Sequence, residues 1–139
     1  MQLPPDVILG SIEIAEDLSY YAPGGMLCDG PREYEIVEGY RLGALTIHAL
    51  SGVDLGPGPY RVSHGATGIL ICDAATFASA IEIARAADKA VDWARVSRDS
   101  NRIGFAEGWT QAMAADLEAA LTGFPRVRFE TPEWGFARG

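Results

Sequence analysis

The sequence from Tyr60 to Val91 reads YRVSHGATGILICDAATFASAIEIARAADKAV and carries the clearest secondary-structure signals in the chain. Two strand-like runs, Tyr60 to Ser63 and Ile69 to Cys72, flank the segment HGATG, whose length and glycine content suit a hairpin connection. Asp73 or Thr76 then offers an N-cap for a following helix. The apolar positions with helical spacing are Phe77, Ala80, Ile81, Ala84, Ala87 and Val91. We therefore predict a β-hairpin that leads into an amphipathic helix.

The chain after this stretch predicts a second helix and a short final strand. Apolar residues recur at helical spacing from Ile103 to Leu121, and Gly123 stands where helices commonly end. Between the two helices, Trp93 to Val96 is interpreted as a short extended piece and Ser97 to Arg102 as a polar connector. The run from Val127 to Glu130 alternates again, which predicts an edge strand before a loose tail.

The N-terminal segment gives conflicting signals. An apolar stripe from Asp6 to Leu18 predicts a short helix, with Asp6 as its N-cap. Against this, the alternation of Ile12, Glu13 and Ile14 suits a strand, and Gly10 weakens a helix. We expect the helix, followed by a loop from Tyr20 to Pro31 that contains two clusters of turn-forming residues.

Two alternating runs precede the hairpin and predict two further strands. They span Glu33 to Glu38 and Leu45 to Leu50, and such alternation is typical of strands with one exposed face. Gly39 and Gly43 indicate a turn or bulge between them. Gly52 to Pro59 contains three glycines and two prolines, so we expect an exposed loop there.

Together these elements predict one α+β domain over residues 1–139, with a mainly antiparallel sheet of four or five strands packed on two or three helices. Its parts are an acidic N-terminal part (1–59), a hairpin-helix-helix part (60–123), and a C-terminal edge strand and tail (124–139). The chain is 48% hydrophobic and 22% charged, which is ordinary for an ordered globular domain.

Charge is distributed unevenly along the chain. The net charge is −8, and residues 1–59 supply most of it, with nine acidic residues against two arginines. An acidic surface repels phosphate backbones and anionic membranes, so we expect neither direct nucleic-acid binding nor membrane binding. It favours a basic protein partner, or it serves solubility alone. The arginines Arg95, Arg98 and Arg102 are expected to pair with the acidic part rather than to bind an anion.

Location and redox state follow from what the sequence contains. No apolar run reaches the length of a membrane span, and Met1 to Gly10 lacks the features of a signal peptide, so we expect a cytoplasmic protein. Cys28 and Cys72 form no CxxC pair and are interpreted as free thiols.

Residues that could carry chemistry are scattered. His48, His64, Cys28 and Cys72 lack the close spacing of zinc ligands, so we predict no metal site. Ser63 and His64 are adjacent on a strand and point to opposite faces, which does not suit a nucleophile and its base. No glycine-rich stretch matches a nucleotide-binding motif, and no cofactor is predicted.

The acidic, tyrosine-rich N-terminal part is the best candidate for a binding surface. We predict a non-catalytic interaction protein, for example an inhibitor or nucleic-acid mimic from a virus or mobile element, that binds a basic surface of a nucleic-acid-handling complex. The alternatives are a small enzyme that uses His48 or His64 with a carboxylate, and a structural or assembly subunit that forms a homo-oligomer. The predicted partner-binding residues are Tyr20, Tyr21, Asp29, Glu33, Tyr34, Glu35 and Glu38.

Overall fold

An antiparallel sheet and two α-helices form the fold in the computed structural model, which describes residues 3–21, 27–50, 59–68, 70–98, 106–124 and 128–129. The helices are α1 (Phe77–Ala90) and α2 (Gln111–Leu121), with a 3-10 turn over Trp93–Arg95 between them. The strands are β1 (Ile8–Tyr21), β2 (Leu27–Leu42), β3 (Leu45–Ala49), β4 (Tyr60–His64), β5 (Leu70–Ala74), β6 (Ser97–Arg98), β7 (Ala106–Glu107) and β8 (Arg128–Phe129).

The main sheet has the strand order β1-β2-β3-β4-β5-β8, and every neighbouring pair is antiparallel. Within the described ranges, five of these strands are five residues long or longer, and β8 is a two-residue strand at the edge beside β5. A second small sheet joins β6 to β7. The α+β class, the antiparallel sheet and the C-terminal edge strand are thereby confirmed.

The predicted hairpin and first helix are confirmed. β4 pairs with β5, and α1 begins where the backbone N–H of Ser79 donates to Thr76 Oγ1 across 3.1 Å. All six predicted apolar positions of the helix are buried. The Phe77 ring lies 4.6 Å from the Tyr40 ring and 5.4 Å from the Tyr60 ring, measured between centroids. These aromatic contacts fix α1 against one face of the sheet.

The predicted N-terminal helix is wrong, because Asp6 to Leu18 belongs almost entirely to strand β1. The predicted loop from Tyr20 to Pro31 is also corrected, since Tyr20 and Tyr21 end β1 and Leu27–Pro31 begin β2. β1 pairs with β2 along nearly its whole length, from Ile8–Arg41 to Tyr21–Leu27. The long backbone ladder outweighs the weak local preference for a helix or a loop.

The segment between the helices also differs from its prediction. Trp93 to Val96 is not extended, because the Val96 N–H donates to the Trp93 carbonyl and closes a 3-10 turn. The second helix begins at Gln111 rather than near Ile103, and Thr110 Oγ1 caps it by accepting the N–H of Met113. A hydroxyl cap placed there is a stronger start signal than the apolar stripe that continues before it.

Glycines and loops fall largely as expected. Gly123 follows α2 with a φ of 91°, and Gly43 lies in the β2–β3 turn with a φ of 59°, conformations that favour glycine. Gly39, in contrast, lies within β2. The predicted loop from Gly52 to Pro59 falls outside the described residues except for Pro59.

The β1–β2 hairpin, called the ribbon below, bends back over the end of the sheet. β2 pairs with β3 only through Tyr40–Leu42, and Leu45, the partner of Leu42, pairs with His64. A straight strand would carry Tyr34 roughly 25 Å away from Leu42. The Tyr34 hydroxyl nevertheless donates to the carbonyl of Thr67, in the turn just after His64. The ribbon must therefore curve strongly after it leaves β3.

Gly39 stands where β2 leaves β3, and its lack of a side chain permits this close approach. A Cβ at this position would lie 2.8 Å from the Ile47 carbonyl oxygen and would also collide with Ile12 Cδ1. Ile12 is 1% exposed, so it already fills the space above the glycine. Backbone and a buried branched side chain together leave no room for a methyl group.

Gly39→Ala is expected to lower the free energy of unfolding by about 1–3 kcal/mol, because the added methyl group overpacks this contact. Gly10→Ala is the matched control, because Gly10 is the cross-strand partner of Gly39 and a Cβ there would meet nothing within 4 Å. Urea unfolding of both variants measures the difference. Equal midpoints for the two variants would contradict the proposed role of Gly39.

Candidate functional site

The acidic residues of the ribbon lie on two opposite faces. Ser11 is the cross-strand partner of Glu38, and Glu13 is the partner of Ile36. Because side chains alternate along a strand, these four residues and Leu9 share one face with Tyr34 and Tyr40. We call the five residues other than the two tyrosines the outer ribbon face. All five are exposed, and Ile36 has 71% of its surface accessible. The outer ribbon face therefore combines an apolar centre with flanking carboxylates.

Glu35, another predicted partner-binding residue, points to the other face of the ribbon. It is exposed and pairs with Ile14 rather than with the residues of the outer face. Glu35 and Glu38 are three positions apart, and odd spacing places strand residues on opposite faces. The structure thus separates two carboxylates that the sequence grouped together.

Tyr34 is engaged within the molecule. The guanidinium carbon of Arg98 lies 3.5 Å from the centre of its ring, and its hydroxyl donates to Thr67 O across 3.3 Å. The residue is half-buried. Tyr34 therefore anchors the ribbon to the rest of the domain, and a partner can reach only part of its ring.

The four other predicted binding residues are placed by their backbone alone. Tyr20 pairs with Cys28, Tyr21 with Leu27, Ser19 with Asp29, and Glu16 with Glu33, at the end of the ribbon farther from β3. Their side chains lie outside the described structure, and their role stays a prediction. Those predicted residues are Tyr20, Tyr21, Asp29 and Glu33.

Of the three arginines predicted to pair with the acidic N-terminal part, Arg98 does so, and Arg85, which was not among the three, pairs with it as well. Arg98 contacts Glu13 across 3.2 Å, and Arg85 forms two hydrogen bonds with Asp6, at 2.8 and 2.9 Å. The Arg85 bonds lower the pKa of the Asp6 carboxyl. Both pairs are exposed and contribute little to stability. Of the other two predicted arginines, Arg95 is exposed and Arg102 lies outside the described residues.

A cleft of about 620 Å³ opens where the ribbon folds over the end of the sheet. Its walls come from β1, the β2–β3 turn, the β4–β5 turn and the segment after α1. The cleft could not be predicted from the sequence, because its walls come from separate segments of the chain and no known motif links them. Its polar lining residues are Glu13, Arg41, Thr46, His64 and Arg98.

His64 is held by packing at the inner end of the cleft. Its Nδ1 lies 2.8 Å from Thr67 Oγ1, and its ring stacks on Trp93 with centroids 4.7 Å apart. Trp93 stacks in turn on Trp109. Burial lowers the pKa of His64 to about 4, so the imidazole is neutral at pH 7. Its hydrogen-bond partner is a hydroxyl and not the carboxylate that the enzyme alternative requires.

His48 lies in a buried polar row that crosses three strands. It is the cross-strand partner of Arg61, which is the partner of Asp73. Arg61 donates two hydrogen bonds to Asp73, at 2.8 and 3.1 Å. Burial, and then the charge of Arg61, lower the pKa of His48. Asp73 is committed to Arg61, and within the described part of the chain His48 Nδ1 has no hydrogen-bond partner. This arrangement is a poor acid–base pair.

The burial of His64 predicts a stability that falls in mild acid. Unfolded His64 takes up a proton below about pH 6.5, whereas folded His64 does so only near pH 4. The unfolded state therefore binds more protons in this window, and the free energy of unfolding falls by roughly 1 kcal/mol per pH unit below about pH 6.

Urea unfolding between pH 7 and pH 5 tests this expectation. His64→Gln should reduce the slope without abolishing it, because His48 contributes in the same direction. An NMR titration of the imidazole gives the pKa directly. A folded-state pKa of His64 at or above its ordinary value would refute the structural explanation.

Comparison of the chain with protein-family models, with curated proteins and with solved structures found no match. In the described ranges, neither helix is both long and apolar enough to cross a membrane. Among residues with described positions, no group of three His, Cys, Asp or Glu side chains is arranged to hold a metal ion. The contacts and charges given above are therefore the basis for proposing a function.

Proposed function

We propose that this protein is a non-catalytic interaction protein whose outer ribbon face binds a basic protein surface. The observation that carries the proposal is the exposure of Ile36 between Glu13 and Glu38. Because Ile36 exposes 71% of its surface, its own domain covers little of its apolar area. A partner that covers it would contribute roughly 1.5–3 kcal/mol from apolar burial alone.

The charges around Ile36 favour a basic partner. Glu38 has no ion-pair partner in the part of the chain that the structure describes, and Glu13 is only partly neutralised by the exposed Arg98. Carboxylates around an apolar centre suit a partner with a hydrophobic contact and a ring of lysines or arginines. Such rim charges mainly accelerate association and exclude acidic competitors.

The net charge of the ribbon also favours a basic partner. The ribbon lies within residues 1–59, where nine acidic residues oppose two arginines, whereas residues 60–139 are nearly balanced in charge. The ribbon thus has the same sign of charge as a nucleic-acid backbone. We propose, more specifically, that the partner is a nucleic-acid-handling protein and that the ribbon occupies its basic surface as an inhibitor of viral or mobile-element type would.

The assembly alternative has one observation in its favour. β1 is the terminal strand of the sheet order, so its outer edge has no paired strand among the described elements. An unpaired edge can add a strand from a second copy. Light scattering separates the two proposals, because a concentration-independent monomer excludes assembly and leaves partner binding intact.

Replacement of the outer-face residues by Ile36→Ser together with Glu38→Lys is expected to weaken partner binding at least about tenfold, because it removes the apolar anchor and reverses one charge. Glu35→Lys is the matched control, since it makes the same charge change at an exposed position on the opposite face. Capture on the immobilised full chain identifies partners, and biolayer interferometry with each purified partner measures affinity.

The proposal is supported if a basic partner binds the outer-face variant more weakly than the wild type but binds Glu35→Lys with unchanged affinity. Added salt should also weaken the binding of this partner. Equal affinity for the wild type and the outer-face variant would disprove the proposed surface. Competition by duplex DNA tests the specific role, because a mimic and DNA cannot occupy one basic site together. If duplex DNA does not compete, the role as a nucleic-acid mimic is excluded, but binding to a basic partner is not.

A further inference from the structure

We propose that the cleft beneath the ribbon binds a small organic carboxylate, independently of the partner-binding face. Arg41 would pair with the carboxylate group, and the apolar body would lie against Ala44, Ala66 and Ala94. These alanines line the cleft and are half-buried or exposed, so a ligand can reach them. The volume of about 620 Å³ is within the range of small-molecule sites, roughly 300–1,000 Å³.

Arg41 is positioned for an anion, and no described carboxylate pairs with it. Its Nη2 donates to the backbone carbonyl of Ser11 across 3.1 Å, which orients the guanidinium. A guanidinium carries five N–H donors, so most of them stay available for a ligand. Arg61, Arg85 and Arg98 all pair with carboxylates, whereas within the described residues Arg41 forms no ion pair.

Arg41 and Ile12 both line the cleft and lie on one face of the ribbon. Arg41 pairs with Ile8, and residues two and four positions along β1 from Ile8 share that face of the ribbon. Ile12 is therefore on the same face as Arg41, opposite to Ile36 and Glu38. Glu13 belongs to the outer ribbon face and also lines the cleft, but Ile36 and Glu38 do not line it. Substitutions of Arg41 and of Ile36 or Glu38 therefore alter the two surfaces separately.

The electrostatics of the cleft favour a single negative charge. Arg98 is paired with Glu13, and His64 is neutral at pH 7, so Arg41 is the one charged residue among the described lining residues that has no ion-pair partner within the described part of the chain. Asp88 lies beneath the β2–β3 turn, where its Oδ1 accepts the N–H of Ala44 across 3.1 Å. This carboxylate and the overall charge of −8 oppose multiply charged anions such as nucleotides.

Titration of the ¹⁵N-labelled full chain with sodium hexanoate, followed by NMR, tests the site. Hexanoate should shift backbone amide signals of cleft residues such as Thr46 and Ala66. Hexanamide, which has the same body without the charge, should bind at least about tenfold more weakly. Arg41→Gln should cause a similar loss, and Arg95→Gln is the control because Arg95 is exposed and does not line the cleft.

Each other outcome overturns the proposal. No shift in the cleft excludes the site, and equal binding of hexanamide excludes the role of charge. Unchanged binding to Arg41→Gln excludes the assigned residue, while equally strong shifts with inorganic phosphate exclude the preference for a carboxylate with an apolar body. If Arg41→Gln fails to fold, the comparison of hexanoate with hexanamide on the wild-type chain decides. Partner binding through Ile36 is unaffected by any of these results.

Discussion

The close approach of Gly39 to the backbone of Ile47 sets the shape of the domain. Because a Cβ would lie 2.8 Å from the Ile47 carbonyl oxygen, only glycine lets β2 leave β3 at this angle under the buried Ile12 side chain. The bend brings Tyr34 to the β4–β5 turn and creates the cleft. Ile36 and Glu38 of the same ribbon do not line that cleft. Both proposed binding surfaces thus depend on one residue without a side chain.

The sequence is most informative where local chemistry and packing agree. In α1 the N-cap at Thr76 and the apolar stripe both predict a helix that begins at Phe77. The β4–β5 hairpin is predicted by its short, glycine-containing connection. β1 shows the opposite case. Its strand conformation comes from pairing with β2, up to about thirty positions away in the chain, and no local pattern encodes that ladder. The starts of the 3-10 turn and of α2 depended likewise on backbone and hydroxyl contacts that an apolar pattern cannot show.

The candidate sites could be predicted only in part, for a similar reason. Composition located the acidic charge and pointed to Glu35 and Glu38, but Ile36 was not predicted as a binding residue. The division of these residues between two faces required the register with β1. The cleft is lined by residues from distant segments, including Arg41 and His64. It forms only because the ribbon bends, and no local sequence pattern predicts that bend. The histidines show how burial affects chemistry, because it lowers the pKa of both imidazoles and so disfavours the protonated form that an acid catalyst needs.

The pairing of β8 with β5 has a consequence for synthesis on the ribosome. The five strands from β1 to β5 follow one another in chain order and pair with their immediate neighbours, so they can assemble while the chain is still emerging. β5 receives its second partner only after both helices have been made, when Arg128–Phe129 leaves the exit tunnel. Until then the nascent domain carries an open strand edge that a chaperone or another nascent chain could pair with. The two-residue strand thus covers the middle of that edge, at Cys72 and Asp73.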